Sequence, residues 1–402
     1  MRLVSAAERL AAIDRSEVTL DPSRCLHALD RFASCDRCDD ICPAEAILPG
    51  PPPTLNNEKC QSCLACLPTC PVGAYAGDDA VRPLLQCTAR LEGRQLELLC
   101  ELHPSAENGV SDEAVGIRIR GCLAGLGTGT YLALAGMGIP HIAIHLEACK
   151  ECPWQSLVPH IQTQIARAKR LLSVWELADV LEPVTVPSDG KERPLWDAGN
   201  PPLTRRDLFR LAAMQGQMTI ARAMSVDHLS GERQPGRDYQ RMAYAIQHLL
   251  GASQPISDIS MGEAGFASLS VSGECTACSA CARACPTTAL TLEMDEDESH
   301  YWLKFTPANC IGCEVCVHVC VPQALVPQHA PLFNQVFASK EALLLGEGAL
   351  SRCERCNASF AARAGAHLCP TCDYRRRNPF GSKNPARSDI QRAPTGEVRH
   401  DH

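Results

Sequence analysis

Between Val81 and Leu172 the apolar positions follow two periods. Gln95–Leu99 and Val115–Ile119 are short apolar runs that read as strands, ending at Cys100 and near Cys122. His141–Leu146 reads as a third strand, ending near Cys149 and Cys152. Ala124–Gly138 reads as a helix, and Leu157, Ile161, Ile165 and Ala168 recur on one face of another. Strands alternating with helices predict an α/β domain over residues 81–182 with a parallel sheet. No formally charged residue stands between Arg120 and Glu147. Six glycines, Pro140, His141 and His145 interrupt that stretch, so it reads as two buried elements and no membrane span is expected.

Elsewhere the apolar pattern is broken into short pieces. Ala46, Ala74, Ala289 and Ala324 are each followed by one larger apolar residue, Ile47, Tyr75, Leu290 or Leu325. This repeat predicts a short helical turn leading into a strand, four times over. Met1–Val18 reads as an amphipathic helix with no secretory apolar core. Val184–Pro202 reads as a proline-rich linker, followed by helices over Arg205–Met224 and Tyr239–Leu250. Thr204–Phe209 has the look of a twin-arginine export motif, but its internal position and the absence of a following apolar run favour a capped helix start. Asp295–Glu298 is an acidic, solvated turn of a hairpin.

Composition adds the chemistry. The 402 residues include 25 cysteines, an odd number set largely at two-residue gaps. That pattern argues for metal ligation over a disulfide framework, and hence for a reducing compartment, the cytoplasm. The net charge of −8 gives no reason to expect nucleic-acid binding.

Cys275, Cys278, Cys281 and Cys285 are followed by Cys310, Cys313, Cys316 and Cys320, and each set of four has the spacing C-x2-C-x2-C-x3-C. Three closely spaced thiolates can wrap one iron–sulfur cube while the fourth takes a corner of the other. The expected ligand sets are therefore Cys275, Cys278, Cys281 with Cys320, and Cys310, Cys313, Cys316 with Cys285. Two interlocked sets do not suit a closed zinc site, which takes four ligands. This stretch resembles the bacterial two-cluster ferredoxins, except that Pro322 comes one residue late, after Val321. A second such module lies at the start of the chain. Cys60, Cys63, Cys66 and Cys70 complete one motif, whereas Cys35, Cys38 and Cys42 lack a cysteine where Phe32 stands. Cys25 is the upstream candidate. The expected sets are Cys25, Cys35, Cys38, Cys70 and Cys42, Cys60, Cys63, Cys66, with a three-iron cluster or a water on the open iron as the alternative.

The central cysteines fall at strand ends, which would gather them at the carboxyl edge of a parallel sheet. The order strand–Gly121–Cys122–helix–strand–Cys149-x2-Cys152 resembles the iron–sulfur delta subunit of methyl-viologen-reducing hydrogenase, over roughly Leu84–Leu172. The resemblance implies a 2Fe–2S cluster on Cys100, Cys122, Cys149 and Cys152, with Cys87 as a substitute for Cys100. A zinc site and a redox-active thiol pair are the alternatives from the residues alone. Gly125, Gly127 and Gly129 suggest a dinucleotide loop but lack the full fingerprint.

Cys353, Cys356, Cys369 and Cys372 have zinc-ribbon spacing, with a rubredoxin-like iron as the runner-up. The chain as a whole thus reads as an α+β multidomain protein: a ferredoxin-like module (1–80), an α/β domain (81–182), a linker and helical segment (183–260), a second 4Fe–4S module (261–330), a zinc-ribbon-like segment (331–378) and a disordered tail (379–402). Four 4Fe–4S clusters, a 2Fe–2S cluster and zinc are the expected cofactors. No nucleophile–base–orienter set is visible, so no catalytic residue is assigned. The expectation is an electron-transfer protein that serves a redox partner or a larger oxidoreductase complex. A thiol–disulfide enzyme built on the central site and a cluster-assembly scaffold are the alternatives.

Overall fold

The computed structural model describes residues 18–30, 33–187, 190–202, 215–226, 233–256, 258–328, 330–337, 341–362 and 365–378. The expected helix over Met1–Val18, Phe32, the twin-arginine-like Thr204–Phe209, the first half of the helix expected over Arg205–Met224, and the tail lie outside these residues, apart from Val18 itself. The architecture is mixed α/β, and the chain divides into two compact units. The larger comprises residues 1–275, 279–293 and 302–346, and the smaller residues 276–278, 294–301 and 347–402.

The larger unit is built on a five-stranded sheet. Its strands are β1 (Gln95–Cys100), β2 (Ala114–Ile119), β3 (Ile142–His145), β4 (Leu181–Val184) and β5 (Leu195–Asp197). Their order is β5-β2-β1-β3-β4, and every pair is parallel. Leu96 and Leu98 stand opposite Val115 and Ile117 on one side and Ile142 and Ile144 on the other. All six are fully or almost fully buried, as expected of parallel strands covered on both faces. The segment read as a proline-rich linker therefore carries sheet. β4 ends on its first residue, Val184, and Leu195–Asp197 adds an edge strand beside β2. Proline at 194 is tolerated there because its carbonyl alone is used, accepting from Gly116 N at 2.9 Å.

Helices α1 (Val81–Thr88), α2 (Thr128–Gly136), α3 (Val158–Leu172), α4 (Gln215–Ser225) and α5 (Arg237–Ala252) complete this domain. The helix expected over Ala124–Gly138 is split. Leu123–Gly125 forms a 3-10 turn, and α2 starts afresh at Thr128. All fifteen residues from Gly121 to Ala135 are buried, which accounts for the uncharged stretch. No helix among the described residues is long and apolar enough to cross a membrane.

α5 is packed closely on α2. It buries Asp238, Arg241, Met242, Ala245, Ile246 and Leu249, one helical face. A Cβ at Gly129 would lie 2.1 Å from the Asp238 carbonyl oxygen, so glycine is what permits the approach. The Asp238 carboxylate accepts from Gly129 N (3.0 Å) and Thr130 N (3.2 Å), which fills the N-terminus of α2. A nucleotide phosphate would need those same N–H groups. The glycines thus serve helix packing and an internal cap, and the residues read as a helical linker belong to the α/β domain. Arg241, 2 % exposed, fastens the arrangement: it pairs with Asp79 at 2.7 Å and donates to Ser225 O at 2.8 Å.

The two cysteine-rich modules share one plan. In the first, Thr19–Leu20 pairs with Tyr75–Ala76 and Ile47–Leu48 with Thr54–Leu55, both antiparallel. In the second, Ser268–Val271 pairs with Leu325–Gln328. The bonds repeat as well. Asp21 N donates to Ala74 O and Ser272 N to Ala324 O, while Asn56 N donates to Ala46 O and Thr306 N to Ala289 O, all at 2.8 Å. The four alanines are at most 3 % exposed, and the residue after each is buried.

In the smaller unit, Ser351–Arg352 pairs with Ser359–Phe360, and a helix runs over Pro370–Arg377. Cys353, Phe360, Cys369 and Cys372 form its small core. The acids of the 295–298 turn are partly used within this unit. Asp295 accepts from Ser299 N and His300 N, and Glu298 pairs with Arg352 at 3.3 Å.

Candidate metal centres

The thiols of each first-module set lie together. Cys25 precedes the short helix Leu26–Leu29, and that segment is held in place by Arg24, which donates to Val72 O, and by His27, bonded to Cys35 O at 2.7 Å. Burial and then the nearby Cys35 raise the Cys25 thiol. Burial pushes Cys38 to about 11, with Cys70 and Cys35 contributing. The structure thus brings Cys25 to Cys35, Cys38 and Cys70. In the other set, burial raises Cys63 to about 11 and Cys66 well above its ordinary value, and Cys42 and Cys60 add to both shifts. Backbone N–H groups point at the closing cysteines. Ala46 N lies 3.3 Å from Cys42 Sγ, Ala74 N 3.3 Å from Cys70 Sγ, and Ala324 N 3.3 Å from Cys320 Sγ. Such donors favour a charged sulfur.

In the second module Cys285, Cys310, Cys313 and Cys316 form the corresponding group. Burial and then neighbouring thiols push Cys313 to about 12 and Cys316 higher still. Cys281 also lies near Cys316. Residues 274–324 match the 4Fe–4S dicluster domain family. This stretch is an iron–sulfur, ferredoxin-like domain, and its eight cysteines are the eight that the spacing singled out. No curated protein matches the chain.

The dicluster domain abuts the first module. Cys35, Cys70 and Cys313 pack around one apolar cluster with Leu26, Val72, Ile311 and Val315. His318 and Asp30 are paired across it at 2.7 Å, and Tyr239 of α5 donates to Cys310 O.

The α/β domain gathers four further thiols at its carboxyl edge, at the switch point between β1 and β3. Cys100 ends β1, Cys122 follows β2, and Cys149 and Cys152 lie in and after the 3-10 turn Glu147–Glu151. Burial pushes Cys100 to about 12, and Cys149 and Cys152 add to it. Burial raises Cys122 as well, with contributions from Cys100, Cys63 and Cys149. Cys149 is pushed to about 11 by burial and then by Cys152. Cys87 is not in this group. It is fully buried on α1, and the charges that bear on it are Arg90 and Asp197. A crowd of thiols this reluctant to ionise fits a metal, which deprotonates its ligands and neutralises them.

The first module lies directly against this site. A Cβ on Gly125 would be 3.0 Å from Leu64 Cβ, and Trp154 Nε1 donates to Gln61 Oε1 at 2.7 Å. With Cys63 bearing on Cys122, the loop 61–64 joins two thiol sets.

Beside the central thiols lies a buried ionic network that the sequence reading missed. His145 bonds Glu147 Oε1 through Nδ1 (2.7 Å) and Glu97 Oε2 through Nε2 (3.0 Å). Arg193 Nε donates to Glu97 Oε2 at 2.7 Å, and His103 Nε2 bonds Glu147 at 3.0 Å. His103, His145 and Glu147 are close enough to hold a metal ion. However, Ser105 N donates to His103 Nδ1, which leaves Nε2 of a neutral ring as a donor to Glu147 and not as a ligand. With His145 protonated the four ions balance, and the network ties β1, which ends at Cys100, to the end of β3 and the turn that holds Cys149. The only sequence trace was Glu97 inside an otherwise apolar strand.

The network has a pH signature. Burial disfavours the His145 cation, yet bonds to Glu147 and Glu97 outweigh it and raise its value to about 9. Burial likewise opposes the Glu97 charge, but bonds from His145 and Arg193 hold it at about 2. A raised histidine stabilises fully below its unfolded value and loses that contribution as pH rises through the folded one. The thermal midpoint should therefore fall between about pH 7 and pH 9.5. In His145→Gln that alkaline decline should be shallower; an equally steep decline would assign it to other groups.

In the smaller unit, the sulfurs of Cys353, Cys356, Cys369 and Cys372 lie within 4.8 Å of one another. Cys356 and Cys369 are 3.7 Å apart, close to the edge of a tetrahedron with bonds of about 2.3 Å. The Cys369 N–H, 3.3 Å from Cys353 Sγ, holds that thiol down at about 6. The set is a metal-binding cluster.

Proposed function

We propose that this chain is an electron carrier in which four 4Fe–4S cubes lead to a 2Fe–2S site in the α/β domain. The observation that carries the reading is the junction at Cys63 and Cys122, where a first-module thiol set adjoins the central one. The ligand sets follow one another: that of Cys281, then Cys285–Cys316, then Cys25–Cys70, then Cys42–Cys66, then Cys100–Cys152. Fully thiolate-ligated clusters store single electrons and leave no position for substrate. The protein's own part is to hold these sets adjacent, bury them and aim backbone N–H groups at the sulfurs. The raised Cys149 thiol speaks against the disulfide-enzyme alternative, which needs a low-pKa nucleophile. The four closing thiols of the smaller unit suit zinc in a structural ribbon. The working environment would be a reducing cytoplasm, and the partner a redox protein or a larger oxidoreductase.

Full-length protein purified without oxygen should contain about 18 irons and one zinc per chain. Cys353→Ser with Cys356→Ser should remove the zinc and leave the iron in place. Iron at the ribbon, or an iron content near eight, would contradict the assignment.

A further inference from the structure

A cleft of about 360 Å³ opens between the first module and helix α3. Arg37, His160, Gln164 and Arg167 line it, with Thr69 and Cys70 on the module side. None of these residues was assigned a role above except Cys70. Arg37 and Arg167 make no ion pair or hydrogen bond among the described residues, although each can offer five donors. They stand near one another, because Arg167 is lowered by burial and then by Arg37. The Nε2 atom of His160 is buried without a partner. Gln164 spends its Oε1 on Thr128 N and Thr128 Oγ1, which leaves its amide nitrogen open.

The acids at the cleft do not answer these cations. Asp238 is committed to the N-terminus of α2. Asp40 is exposed at the rim and pairs with neither arginine. Arg37 and Arg167 are both exposed at the mouth of this cleft, and two like charges that share one cleft without a carboxylate partner favour an anion between them. Paired arginines match the oxygen spacing of a phosphate better than any other side chain does. The volume falls at the small end of ligand pockets, which span about 300–1,000 Å³, and exceeds what a bare ion needs.

We propose that this cleft is a binding site for a small phosphate ester, whose phosphate is gripped by Arg37 and Arg167 and oriented by the open amide of Gln164, while Nε2 of the neutral His160 ring accepts from a hydroxyl of the ester. Arg37 lies between Cys35 and Cys38, so the ligand brings negative charge beside that thiol set. It follows, on the electron-carrier reading above, that binding makes the cube on Cys25, Cys35, Cys38 and Cys70 harder to reduce.

Inorganic phosphate is the probe, titrated by calorimetry into the anaerobically purified full chain at constant ionic strength against chloride. One saturable site is expected. Arg167→Gln and Arg37→Gln should each weaken it at least tenfold, and Lys169→Gln, a neighbouring cation on α3, should leave it unchanged. Absence of saturable binding, or equal weakening by Lys169→Gln, would overturn the site. Binding of succinate in place of phosphate would overturn the ligand class. A redox titration with and without phosphate then addresses the cube: a lowered midpoint is expected for one cluster and not in Arg37→Gln. Binding without any shift would overturn the regulatory half alone. A chain lacking clusters would refute the electron-carrier reading and leave the calorimetric result to stand.

Discussion

Replacing Glu97 with alanine should cost the larger unit about 3–5 kcal/mol, the range found when one partner of a buried ion pair is removed. Glu97 is 1 % exposed and is the hub of the network beside the central thiols. It faces Arg193 and His145 and also accepts from Val110 N at 2.8 Å and Ser111 N at 2.9 Å. Its loss strands a guanidinium whose side chain is fully buried, together with two backbone donors. His145→Gln should be milder, since Arg193 still neutralises Glu97. Gly116 contributes to the same arrangement, because a Cβ there would meet Arg193 Nη1 at 1.9 Å. Urea unfolding monitored by tryptophan fluorescence would measure the change. A loss below about 1 kcal/mol would show that water or relaxation compensates the stranded cation.

Replacing Cys122 with serine should remove the two irons assigned to the α/β domain and leave the cube iron largely in place. Cys122 is the thiol on which Cys100, Cys149 and Cys63 all bear. Cys87→Ser is the matched control. That thiol is buried near Arg90 and Asp197, away from the others, so its iron content should equal that of the unaltered chain. Iron loss in Cys87→Ser with retention in Cys122→Ser would reverse the ligand choice. Cys152→Ser should behave like Cys122→Ser.

Much of the chemistry was legible because cluster ligation is local. Cysteines two and three residues apart gave the dicluster domain directly, and the alanine four residues after each closing cysteine marked where backbone passes tightly. Cys25 was singled out only by elimination, and the segment that places it near Cys35 depends on Arg24 and His27 reaching across the module. The α/β domain was legible through its apolar strands, but its extent was not. β5 is three residues long and follows a proline, and it becomes a strand only because β2 offers an edge. α5 belongs to this domain because of Gly129 and Asp238, a contact across about a hundred residues that no periodicity encodes. The glycines therefore looked like a nucleotide loop when their role is close packing. The choice between Cys87 and Cys100 likewise rests on which face of α1 meets the core. The ionic network was invisible for the same reason: Glu97, His145 and Arg193 stand 48 and 96 residues apart and meet only when β1, β3 and the segment before β5 come together.

On the proposed reading, the thiol set of the α/β domain adjoins that of Cys42, Cys60, Cys63 and Cys66 closely enough for the two clusters to exchange electrons. Spin–spin interaction reports such adjacency without any partner protein. The full chain, purified without oxygen and fully reduced, should show a central resonance that is broadened and relaxes rapidly. Cys60→Ala with Cys66→Ala, verified by iron analysis to lack one cube, should leave that resonance narrow and slowly relaxing. A central resonance of the same width and relaxation in both proteins, or none at all in the unaltered chain, would contradict the account.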